Sequence, residues 1–234
     1  MLFLAVFCGF LAENIREHKV EKKREKQFIQ SLVNDIQADI DQLEILINKR
    51  DQKQVAVDST IKLLNSPHQQ IQGSSLYYNA IHTARRADVA FVPNDGTFLQ
   101  LKNAGGLRLI GNRRVVDSIM NYDIAVRNLV THGESEQSLV DNYRVVSSRI
   151  FDPSVFDSML DQNNVSTRPG GNPQLLIHDK AAMVDLLGSL YYLKVINKSL
   201  RRDFTKLKLQ ATSVIKTIKE EYHLPERSMT PSEK

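Results

Sequence analysis

One cysteine, no tryptophan, seven prolines and ten glycines among 234 residues remove several structural options at once. A lone thiol, Cys8, makes neither an internal disulfide nor a thiolate metal site, and it does not report a redox compartment. Histidines are scattered singly, without the His-Glu-x-x-His, Cys-x-x-Cys, Gly-x-Ser-x-Gly or Glu-x-x-His spacings that metal and nucleophile chemistry require. No catalytic residue, no metal ligand and no cofactor is therefore expected. Gly105, Gly106 and Gly111 fit neither a dinucleotide fingerprint nor a P-loop, so the pair at 105 and 106 is expected to end a helix in the left-handed region. Because the helix breakers cluster, long stretches remain free for helix. Apolar runs are also short. The opening one, Met1 to Ala12, stops well below the length of a membrane-spanning helix, roughly 20 residues.

What is present is charge and periodicity. Charged residues make up 25% of the chain and hydrophobic residues 41%, a balance suited to a folded bundle and not to a disordered segment. The net charge of +4 comes from interleaved Glu and Lys without a segregated cationic face, so nucleic acid is not an expected partner.

The apolar opening is followed abruptly by Glu13 and a dense charged run to Lys26. A cleaved signal peptide would carry a basic residue before the apolar core and small residues at the cut, and neither is present. Lipidation at Cys8 would need small residues in place of Val6 and Phe7. A buried helix end is a third reading. The favoured expectation is the C-terminal half of a transmembrane helix that begins upstream of Met1. Residues 1–12 are then a partial transmembrane anchor, and Arg16, Lys19, Lys22, Lys23, Arg24 and Lys26 form a collar for lipid headgroups. A solvated face with Glu-to-Lys pairs accounts for the same residues. One flank does not fix the side of the membrane.

Further along, Ile29, Leu32, Ile36, Ile40, Leu43, Ile47, Val57, Ile61 and Leu64 recur at steps of three and four, which predicts one long helix from about Glu13 to Asn65. The stripe lapses at Arg50 and Gln54. Asp35, Asp39 and Asp41 lie beside it and are expected to be solvated. A short helix is predicted over Leu76 to Asp88 behind Ser74-Ser75, and another from Phe98 after the turn Asn94-Asp95-Gly96-Thr97. Arg113 to Phe151 carries two apolar registers that change at Gly133, which predicts a kinked helix or two helices. Asp152-Pro153 opens a brief helix, and residues 163–173 are a loop. From His178 to Tyr222, Met183, Leu186, Leu190, Leu193, Ile196, Leu200, Phe204, Leu207, Ala211, Val214 and Ile218 form a near-heptad seam.

One cluster suggests binding chemistry. Tyr77, Tyr78, His82, Arg85, Arg86 and Asp88 fall on the second helix, and Arg108 follows near a helix end. Converging at the distal end of the bundle, Tyr78, His82, Arg85, Arg86 and Arg108 would form a pocket for a small anion. The competing reading packs Tyr78 and His82 inward and pairs the arginines with acidic neighbours. Tyr191-Tyr192 is expected to be packing.

The run GFLAENIREHKVEKKREKQFIQSLVNDIQADI, Gly9 to Ile40, together with FLQLKNAGGLRLIGN, Phe98 to Asn112, resembles a family of uncharacterised bacterial proteins with one N-terminal transmembrane helix and a charged helical body. The resemblance implies a bacterial inner-membrane, single-pass location. It brings no catalytic residue, since that family has no established activity.

The fold expected is all-α: an elongated helical bundle built on long N- and C-terminal helices packed antiparallel, with short helices and loops at the distal end. Residues 13–222 would form one bundle domain and residues 223–234 a flexible tail. The function expected is that of a non-enzymatic, membrane-anchored scaffold or interaction protein. Its partners would be the lipid bilayer and, through the heptad seams, a second copy or another protein. A membrane-proximal sensory bundle that binds a small anionic ligand is the alternative. A hydrolase or metal enzyme ranks third.

Overall fold

The computed structural model describes residues 2–66, 72–85, 89–163, 165–177 and 179–224, with side chains from residue 6 onward. Its helices are α1 (Leu2–Leu64), α2 (Gly73–Ala84), α3 (Gly96–Asn103), α4 (Arg113–Ser147), α5 (Pro153–Ser158) and α6 (Lys180–Tyr222), with a 3₁₀ turn at Gly106–Leu109. Among the described residues there is no strand, only an isolated bridge between Leu160 and Ser166. The protein is an all-α bundle. Long α1 and α6 pack antiparallel: Glu25 meets Tyr222, Asp51 meets Arg201 and Asp58 meets Lys194, so partner numbers fall along α6 as they rise along α1.

The chain divides into two compact units. Unit 1 takes Met1–Asp41, Pro93–Val126 and Leu207–Lys234; unit 2 takes Gln42–Val92 and Arg127–Lys206. The stretch read as one bundle domain is thus built from two units, each taking part of α1, α4 and α6.

In unit 1 the apolar stripe of α1 is buried from Ile29 to Ile40, as are Val115, Ile119, Tyr122 and Val126 of α4 and Leu207, Ala211, Val214 and Ile218 of α6. Asp39 is 2% exposed, which corrects the expectation that it is solvated. Its carboxylate accepts from the Asn94 backbone N–H (2.8 Å), the Asn94 side chain (3.0 Å) and the Tyr122 hydroxyl (2.8 Å). Asp35 accepts from Thr97 N–H at 3.1 Å. Asp35 thus satisfies an orphan donor in the first turn of α3 that its own N-cap, Asp95, leaves open, while Asp39 holds the turn before it. Asp41 stays exposed. At the other end of α3, Gly105 has φ +65°, the left-handed stop expected from the glycine pair.

In unit 2, Val57 of α1, Leu76, Tyr77 and Ala80 of α2, Val140 and Tyr143 of α4, and Leu186, Leu190 and Leu193 of α6 share one core with Ile150, Phe151, Met159 and Leu175. Tyr77 places its ring edge-on to Phe151, accepts from Asp152 N–H and donates to Gln174 O, which ties the turn after α4 to the segment before α6. Asp152 caps α5 by accepting from Ser154 N–H. The helix start expected at Ser74-Ser75 falls instead at Gly73, whose N–H donates to Asn172. A Cβ there would lie 1.9 Å from Pro173 O, so only glycine permits the approach.

For Arg113 to Phe151 the two-helix alternative is excluded and the single-helix one stands, and one further expectation is corrected. Helix α4 is a single element through Gly133, and its buried register continues from Leu129 to Glu136, Val140 and Tyr143. The apparent change of register arises when half-buried Leu139 is read as a core position and Glu136, a charged residue on the inward face, is passed over. The single-pass inner-membrane location is overturned as well: among the described residues no helix is long and apolar enough to cross a membrane. The collar residues Arg16, Lys19, Lys22, Lys23, Arg24 and Lys26 are exposed side chains on α1, with Arg16 paired to Glu13. Asp88, Arg86, His178 and most of the tail at 223–234 lie outside the described residues.

Candidate anion-binding groove

Helical spacing builds a groove in unit 2. On α1, Lys49, Lys53, Ala56, Ser59 and Leu63 follow one another at three or four residues and so share a face. On α2, Ser75, Tyr78, Asn79 and His82, continued by Arg85, share another. Between the two faces lies a cavity of about 920 Å³, near the upper end of the range for small-molecule sites. Lys62 and Arg168 complete its charged lining, and among the described residues no Asp or Glu lines it.

Several lining groups are held in place. Arg168, on the loop before α6, donates to Ser75 Oγ at 2.9 Å and stacks over the Tyr78 ring, 4.8 Å from its centroid, a cation over an aromatic face. Tyr78 meets His82 edge-on at 4.5 Å, and His82 Nε2 lies 3.4 Å from Ser166 Oγ. The guanidinium of Arg168 is thereby held in one orientation.

Beneath the floor sits a buried ionic cluster. Arg50 is 1% exposed, Glu136 1%, Lys53 4% and Asn197 1%. Arg50 grips Glu136 with both terminal nitrogens, at 2.8 and 2.9 Å, the two-pronged geometry that makes such pairs strong. It also donates to Val89 O at 3.0 Å and to Asn197 Oδ1 at 3.2 Å. Asn197 returns a bond to Arg50 O at 3.0 Å. Lys53 donates to Glu136 Oε1 at 2.8 Å and to Arg85 O at 3.3 Å, and so belongs to cluster and groove alike. The Phe204 ring centroid lies 5.1 Å from the Arg50 guanidinium. Burial alone would raise the Glu136 carboxyl, but the Arg50 hydrogen bond and the charges of Lys53 and Arg50 outweigh it and hold its pKa below the ordinary carboxylate value. The carboxylate is therefore ionised at neutral pH and accepts from both Arg50 and Lys53. Through Lys53 the cluster adjoins a groove lined by cations.

The candidate residues read from the sequence separate accordingly. Tyr78, His82 and Arg85 line the groove together. Arg86 lies outside the described residues. Arg108 belongs to unit 1, where it lines a separate cavity with Glu21 and Arg24. Sequence reasoning missed Lys49, Lys53, Lys62 and Arg168. The lapse of the α1 stripe at Arg50 was the available signal, because a charged residue at a seam position needs a buried partner.

In comparison with known proteins, no family model, no curated protein and no solved structure matches this chain.

Proposed function

We propose that this protein is a non-enzymatic helical binding module that holds a small anion in the groove of unit 2. The reading is carried by the groove lining, where the exposed Lys49 and Lys62 and the oriented Arg168 face one cavity and no carboxylate lines it among the described residues. Such a site concentrates anions by its field and offers donors already fixed in direction. It develops the anion-binding alternative without the membrane setting. The heptad seams that a second copy would have used are spent inside the fold, since Leu186, Leu190, Leu193, Leu200 and Leu207 are buried. A thermal-shift screen with phosphates, sulfate, citrate and smaller carboxylates is expected to raise the melting temperature with the multivalent anions first. A flat response at millimolar concentrations, or one unchanged in Arg168→Ala, would refute it.

A scaffold role has one separate observation in its favour. Val184, Tyr191, Tyr192 and Val195 stand exposed on α6, and a protein partner would cover them. Light scattering across a concentration series, compared between the wild type and Tyr191→Ser/Tyr192→Ser, tests whether that face associates.

A further inference from the structure

Resting on the anion-binding reading, we infer that the groove takes an extended oligophosphate, a chain of phosphates or a molecule phosphorylated at both ends, and not a single compact anion. Lys49, Lys53 and Lys62 line the groove from one helix. At a rise of about 1.5 Å per residue the outer two stand about 20 Å apart along its axis. No single phosphate or small carboxylate reaches both. Lys53 sits near one end with the buried carboxylate behind it, while Arg168 faces the same cavity from the loop. Lys49 and Lys62, set apart by this length, are matched by charge repeated along the ligand.

The walls decide against other polyanions. Both long walls are α-helices whose backbone groups are already paired, so an acidic peptide would find no strand edge to extend and would be held by side chains alone. Tyr78 is the one aromatic ring in the described lining apart from His82, and Arg168 covers one of its faces while His82 packs against it. Single-stranded nucleic acid therefore lacks the open stacking platform it uses elsewhere. A phosphate chain asks only for donors and charge, and lysine supplies both as a mobile point charge.

The test is isothermal titration of the full chain with orthophosphate, tripolyphosphate and a longer linear polyphosphate able to span the groove, at fixed ionic strength and without divalent cations. The end-position variants Lys49→Gln and Lys62→Gln, both at exposed positions, are run in parallel. The longer polyphosphate is expected to bind about tenfold or more tighter than orthophosphate, and each variant to lose about twofold to fivefold for that longer chain, the scale of one exposed charge pair. Equal affinity for orthophosphate and the longer polyphosphate would overturn the extended ligand and leave the anion site standing. Silence with every anion would remove both. Binding that neither variant weakens would place the phosphates elsewhere and sink the inference. An oligoglutamate peptide or a short oligonucleotide binding more tightly than the longer polyphosphate would overturn it in favour of that partner.

Discussion

Removing one negative charge from the buried cluster is the sharpest test of the physical account. Glu136→Gln preserves shape and one acceptor oxygen, yet takes away the countercharge that lies between Arg50 and Lys53, which are 1% and 4% exposed. Breaking a buried ion pair from one side costs about 3–5 kcal/mol, because the remaining charge is neither solvated nor matched. The retained amide oxygen can still accept from one partner, which places the expectation near the lower end, about 3 kcal/mol, measured by urea unfolding at pH 7. The pH dependence gives an independent signature. The folded-state pKa of Glu136 lies below its unfolded value. Its contribution is therefore fully present above the unfolded pKa of about 4.3 and fades as pH falls through the lower folded pKa. The gap between wild type and variant should narrow in acid, where the wild type also carries a neutral carboxyl. In contrast, replacing Arg50, Lys53 and Glu136 together with Met, Met and Leu should be close to neutral or stabilising, since the desolvation cost disappears with the charges. A Glu136→Gln loss below about 1 kcal/mol, well under the range for a broken buried pair, or a gap that does not change with pH, would refute the reasoning.

In unit 1, Asp39→Ala strips the acceptor from Asn94 and Tyr122 and should cost about 3 kcal/mol in urea unfolding, whereas Tyr122→Phe removes one bond to a charged group and should cost about 1.5–3 kcal/mol. Gly73→Ala forces a Cβ against Pro173 O. Unit 2 should then lose about 1–3 kcal/mol, and hydrogen exchange should quicken in α2 and in the segment before α6. The left-handed φ of Gly105, +65°, sets a further expectation. Gly105→Ala should destabilise by about 1–2 kcal/mol and Gly105→Asn by less; equal losses in thermal unfolding would speak against that origin.

Local rules reached far in this chain. The three-and-four spacing of Ile29 through Leu43 and the seam from Leu186 to Ile218 specified two long helices and the face that each buries. Gly105 marked the end of α3, and Asp152-Pro153 the start of α5, because each stop or start is set by a few adjacent residues. The errors share a cause. Asp39 looks solvated along its own helix, and Glu136 looks like a break in register, because burial of a carboxylate depends on donors from elsewhere in the chain. Those donors sit 83 and 86 residues away for the Asp39–Tyr122 and Arg50–Glu136 contacts, and no pattern along one helix announces them.

The same division holds for the groove. Tyr78, His82 and Arg85 were legible as candidates on one short stretch of chain. That Lys49, Lys53 and Lys62 face them, and that Arg168 arrives from a loop, was not. Periodicity says which side of a helix turns away from water, and by itself this chain's sequence determined its long helices, the glycine stop of α3 and the apolar faces of α1 and α6. Only the tertiary structure decided which polar residues are buried and which cations share a cavity, because Coulomb and hydrogen-bond partners are chosen by proximity in space and not by order along the chain.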